Sequence, residues 1–152
     1  MKSSRKVLVA VGGLALASTA HAQDAAYYSR TQVGAFNYAY VEQNRSVNAL
    51  ELNQVGVRNT AIIRQTGNEN YASVYQLGVT NSAAVSQTGK VNAASIQQTG
   101  RDNAALLEQT GKITRARIEQ SGETNYLVAY QTGNLNLLAV TQNQLHGRLG
   151  RR

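Results

Sequence analysis

From residue 32 to residue 144, polar and apolar positions alternate with a period of two inside a longer period of eleven. Each unit reads Asn-x-Ala-x-(Val/Ile/Leu)-x-Gln-x-Gly-x-x. The recurring types fall on every second residue: Ala61 and Ile63, Ala72 and Val74, Ala83 and Val85, Ala94 and Ile96, Ala105 and Leu107. Side chains that repeat every second residue share one face of a strand and leave the other free to vary. On the free face Thr60, Ile62 and Arg64 give way to Tyr71, Ser73 and Tyr75 one unit later. An eleven-residue period also fits a right-handed helical coiled coil. That helix would need apolar residues three and four apart, and it would carry a glycine in every third turn at a cost of about 1 kcal/mol each. The pattern therefore predicts strands about 23 Å long, each followed by a short turn.

Glutamine holds the same place in every unit: Gln32, Gln43, Gln54, Gln65, Gln76, Gln87, Gln98, Gln109, Gln120, Gln131 and Gln142. Two residues later come Gly34, Gly56, Gly67, Gly78, Gly89, Gly100, Gly111, Gly122 and Gly133, with Arg45 and Gln144 as departures. Six residues before the glutamines lie Asn37, Asn48, Asn59, Asn70, Asn81, Asn92, Asn103, Asn125 and Asn136, with Thr114 in the remaining unit. No insertion or deletion disturbs the count. Glycine permits positive φ at a turn, and the neighbours in TGNEN and TGRDN suit the same geometry. Two units joined in this way make a 22-residue strand-turn-strand coil. Eleven units give about five and a half coils, near 26 Å tall at ~4.8 Å per coil. The predicted fold is all-β, a cross-β solenoid of stacked 22-residue coils with two 11-residue units in each.

An isolated buried amide is costly. Stacked above an identical residue, its NH2 donates to the next carbonyl and the row becomes a hydrogen-bonded ladder. Asn92 and Asn103, and likewise Gln98 and Gln109, read as successive steps of two such ladders, with the glycines turning the chain between them. A slip in register would set amides against Ala or Val, so each ladder fixes the alignment. Inward Ala keeps the two sheets close, and Val, Ile or Leu fills a dry seam. The end coils of such a stack expose unpaired backbone groups that identical coils of another molecule would satisfy. No helical or proline-rich cap is visible, and the chain contains 0 Pro.

The flanks divide the chain further. In MKSSRKVLVAVGGLALASTAHAQ, Lys2, Arg5 and Lys6 form a basic start, Val7 to Ala17 an apolar stretch too short to span a bilayer, and Ala20-His21-Ala22 an A-x-A cleavage site. The expected organisation is a secretory signal peptide over 1–22, a flexible segment over 23–31, the repeat core over 32–144 and a basic tail over 145–152. Without the signal, 12 of the 15 basic residues face 8 acidic ones, a formal charge of +4. These charges are scattered, which gives no dense basic face for nucleic acid. With 0 Cys, one remaining histidine (His146) and no clustered carboxylates, the sequence offers no triad, no metal site and no cofactor site, and an enzyme is not expected. A monomeric solenoid that binds a repetitive ligand such as glycan or ice would need a regular outward row, and the outward positions read as irregular.

Gln-x-Gly, Asn-x-Ala and a further Gln at fixed spacing behind a secretory signal resemble the curlin repeat of bacterial curli, from about Gln32 to Gln142. The resemblance implies a structural subunit of an extracellular functional amyloid in biofilm matrix. Such a subunit leaves the cell unfolded through an outer-membrane secretion pore and assembles with surface accessory factors. Its partners would be itself and the other curlin subunit. The basic balance, the near-constant Asn and the ending QLHGRLGRR resemble the minor subunit, which nucleates the fibre and stays tied to the cell; the alternative is the major subunit. On that reading Arg148, Arg151 and Arg152 serve surface attachment. Thr114, Arg115 and Arg117 form a charged unit whose stacking against like charges in a fibre would slow assembly.

Overall fold

A computed structural model describes residues 5–9, 27–44 and 47–144, with side chains from Ser29 onward. The strands are β1 (Arg5–Val9), β2 (Tyr27–Ala35), β3 (Tyr38–Asn44), β4 (Ala49–Val57), β5 (Thr60–Gly67), β6 (Tyr71–Val79), β7 (Ser82–Arg101), β8 (Ala104–Glu123) and β9 (Tyr126–Gln144). From β2 onward every pairing is parallel, and each residue lies against the one 22 positions away, as Tyr38↔Thr60, Tyr71↔Ala93 and Ala93↔Arg115. The described chain is a β-solenoid of about 5 turns with no helix.

Two stacks of straight legs result. The front stack holds β2, β4, β6 and the C-terminal halves of β7, β8 and β9; the back stack holds β3, β5 and the N-terminal halves of the same three long strands. Inward positions alternate along each leg. Ala61, Ile63, Ala72, Val74, Ala83, Val85, Ala94, Ile96, Leu107 and Ile118 are buried between the stacks, and the amides close both rims of this seam. Fully burying an aliphatic side chain stabilises by about 1.5–3 kcal/mol, so the seam is the main apolar contribution. In the last back leg the usual order reverses to Leu127 and Ala129. Leu127 packs against the core beside the buried Ala129, so small and large residues exchange places with little change in total volume.

The two corners of the coil differ although their lengths match. On leaving the front stack, the chain has a positive-φ glycine and then a second positive-φ residue two positions later: Phe36, Arg58, Thr80, Asp102 or Thr124. On leaving the back stack, β7, β8 and β9 run on as continuous strand through Gly89, Gly111 and Gly133. Glycine is required at these corners because the coils approach so closely. A Cβ on Gly34 or Gly100 would collide with the carbonyl oxygen of Gly56 or Gly122, one coil away.

Two strands lie at the start of the chain. β2 pairs in register with β4 from Tyr27↔Ala49, because the eleven-residue spacing already holds there. Residues 5–9, inside the expected signal peptide, form β1 and pair antiparallel with the outer edge of β3, from Arg5↔Gln43 to Val9↔Ala39.

Candidate functional site: the amide ladders

Every inward amide from Asn48 to Gln131 has its side chain removed from water, a placement that is tolerable only with complete hydrogen bonding. The steps of each ladder are 22 residues apart, not eleven. Asn92 stands over Asn70 and Asn103 over Asn81, so Asn92 and Asn103 belong to different ladders on opposite stacks. The same holds for Gln98 and Gln109. The expected two ladders are therefore four. The reason is geometric: successive units alternate between stacks, so neighbours along the axis are two units apart in the chain.

The glutamine ladders run Gln32–Gln54–Gln76–Gln98–Gln120–Gln142 and Gln43–Gln65–Gln87–Gln109–Gln131. In each step Nε2 of the earlier residue donates to Oε1 of the later one, as Gln76 to Gln98 at 2.8 Å. The other Nε2 hydrogen crosses the seam: Gln98 donates to the Ser82 carbonyl at 2.8 Å and Gln109 to that of Ala93 at 3.2 Å. Each glutamine thus ties its own coil to the next and one stack to the other. The sequence reading missed this cross-seam bond. Its signal was the fixed spacing of sixteen residues between each Gln and the position just after an Asn.

Asparagine donates the opposite way. Nδ2 of Asn59 reaches Oδ1 of Asn37 at 3.2 Å, and Nδ2 of Asn125 reaches that of Asn103 at 2.8 Å. The Asn59 backbone N–H converges on the same Asn37 oxygen at 3.0 Å. Nδ2 of Asn59 also donates to the carbonyls of Val55 and Gly78, which holds the corner shut. Glutamine dipoles therefore point up the stack and asparagine dipoles down it, and the two sets offset each other.

Thr114 keeps half of its step. It is buried, and its hydroxyl donates to Asn92 Oδ1 at 2.6 Å. The loss falls one coil later, where Nδ2 of Asn136 is buried without a partner among the described residues. The charged residues of this unit lie between neutral neighbours: Arg115 between Ala93 and Leu137, Arg117 between Ser95 and Ala139. Arg117 also pairs with Glu119 on its own strand. Within the described residues the neighbours stacked on Arg115 and Arg117 are all uncharged. Arg148, Arg151 and Arg152 lie outside the described residues.

Two outward rows are regular, contrary to expectation. Thr66, Thr88, Thr110 and Thr132 follow one another up the back stack beside Gly67, Gly89, Gly111 and Gly133. Val91, Ile113 and Leu135 form an apolar row at the adjoining corner. Both rows draw on alternate units only, so they vanish in an eleven-residue comparison. Other outward positions do vary, as Glu42, Arg64, Ser86, Glu108 and Tyr130 do on the back stack.

The ladders offer a pattern of donors and acceptors that any further copy of the coil would complete. The family model of the curlin associated repeat matches residues 48–78 and 80–111. No curated relative and no solved structure matches the chain.

Proposed function

We propose that this chain, which belongs to the curlin family, is the minor subunit of an extracellular curli fibre, polymerising through its own coils and nucleating the major subunit at the cell surface. The observation that carries the assembly reading is the open state of the ladders at their ends. Gln131 and Gln142 have no further glutamine above them to receive the N–H that every lower glutamine donates up the stack. A parallel cross-β edge of this kind is satisfied by more of the same coil. The nucleating role draws on the basic balance and the basic C-terminal end. Export through an outer-membrane pore and dependence on surface accessory factors follow from the family and from the signal-like start.

Addition of preformed fibres of this chain at a few per cent to a more acidic curlin-repeat partner should abolish the partner's lag phase. A lag left unchanged would assign the chain to the fibre shaft, the role of the major subunit. Deletion of residues 143–152 should release fibres from the cell surface into the medium, and unaltered retention would remove the attachment role of Arg148, Arg151 and Arg152. A second reading, a monomeric solenoid that binds a repetitive ligand, draws on the row of Thr66, Thr88, Thr110 and Thr132. That row is a single file, flanked by the mixed row of Glu42, Arg64, Ser86 and Glu108, which makes a flat matching face unfavourable.

A further inference from the structure

The described legs are odd in number: six in the front stack and five in the back. Both the first leg, in β2, and the last leg, in β9, therefore lie in the front stack. A second copy placed on top without rotation would set its β2 on the last front leg and leave one leg missing from the back stack at every junction. Rotated by half a turn about the axis, the same copy continues both stacks without a gap. Its β2 then rests on residues 126–132, and its β3 on residues 137–143.

Four features of the two ends fit the half-turn. Gly133 is the one glycine in the row with no carbonyl oxygen where its Cβ would be, whereas Gly67, Gly89 and Gly111 each meet the next glycine's carbonyl. The half-turn sets the second copy's Gly34 on Gly133. The units that lack this glycine, carrying Arg45 and Gln144, then meet each other. Asn37 already donates to Val33 and Gly56 but, among the described residues, lacks the Oδ1 partner that Asn59, Asn81, Asn103 and Asn125 possess. The half-turn supplies it from Asn136. Gln131 and Gln142 donate upward to Gln32 and Gln43 of the copy above.

The apolar surface agrees. Leu135 is 80 % and Leu137 82 % exposed at the upper end, and Phe36 is 64 % exposed at the lower. The half-turn brings Phe36 onto Leu135 and Tyr38 onto Leu137. We infer that successive copies of this chain join head to tail with a half-turn, so that each face of the fibre alternates between front and back stacks. This rests on the fibre reading above and specifies its junction. The lower edge of β3 is the edge covered by β1, so the junction opens only in chains that have lost residues 1–22.

The chain has 0 Cys, which makes disulfide mapping clean. Parallel neighbours lie ~4.8 Å apart, within the span a disulfide can bridge. In fibres of residues 23–152, Thr31→Cys with Tyr130→Cys, and separately Glu42→Cys with Thr141→Cys, should oxidise to ladders of dimers, trimers and higher species containing most of the protein. Thr31→Cys with Thr141→Cys, which would be neighbours without rotation, should stay monomeric. Ladders from this third pair, or monomers from all three pairs in fibres that do form, would overturn the half-turn junction. An unmodified chain that never forms fibres would sink the proposed function itself, and the junction with it.

Discussion

The middle coils and the last coil are built from the same unit, yet they sit in opposite states of satisfaction. At Gln98 every hydrogen-bonding group has a partner: Gln76 donates to its oxygen, and its nitrogen donates to Gln120 and to the Ser82 carbonyl, each at 2.8 Å. At the last coil Asn136 Nδ2 is buried without a partner among the described residues, while Tyr126 and Tyr130 stand 73 % and 67 % exposed. The unpaired Asn136 traces to Thr114 one coil below it, whereas the exposed tyrosines trace to their position at the end of the stack. The stability of a unit therefore comes from the units above and below it, as in other solenoids, and the ends are where that support stops.

The sharpest way to break the comparison is to remove one amide from each region. Gln98→Ala orphans the Gln76 N–H, the Gln120 oxygen and the Ser82 carbonyl, and should cost about 3 kcal/mol or more in guanidinium denaturation of the β-folded state. Gln142→Ala orphans groups that water reaches, and should cost about 1 kcal/mol or less on the same measurement. Equal losses would mean that the ladders contribute nothing beyond side-chain volume.

Glycines give the second test. Gly100→Ala drives a Cβ into the Gly122 carbonyl oxygen, whereas Gly133→Ala meets nothing nearer than Asn136 Nδ2 at 3.5 Å. Both positions have positive φ, so each change carries backbone strain of about 1–3 kcal/mol. Gly100→Ala adds the collision and should prevent folding into the β form at low temperature. Gly133→Ala should fold and then elongate slowly, a difference that thioflavin kinetics would resolve.

The repeat made the strands, the inward rows and the turn glycines legible, because seven types recur at fixed positions without a single insertion. What stayed hidden depends on the 22-residue neighbour. Asn92 looks adjacent to Asn103 in the sequence but bonds to Asn70. The row from Thr66 to Thr132 is diluted by the alternate units that carry Leu77 and Ser121 at the same place. The opposed directions of the Asn and Gln amides depend on side-chain length and corner geometry, which letters do not carry. The strand from Tyr27 is weakly written because its unit lacks the Asn and the Ala and keeps only Gln32 and Gly34.

Two smaller changes sharpen the contrast from the other side. Thr114→Asn restores an amide beneath Asn136, giving its unpaired Nδ2 an acceptor, and should stabilise the β form by about 1 kcal/mol. Thr124 holds φ 58 with a β-branched side chain, a conformation that glycine adopts freely. Thr124→Gly should be neutral to stabilising, by less than about 1 kcal/mol.

The central claim, that this chain is a template for its own continuation, is tested most directly by following purified residues 23–152 from denaturant into buffer and recording fibre diffraction. The account predicts conversion to fibres with reflections near ~4.7 Å along the axis and ~10 Å across it, and loss of soluble protein as they grow. A β-structured monomer that stays soluble at high concentration, without those reflections, would contradict it.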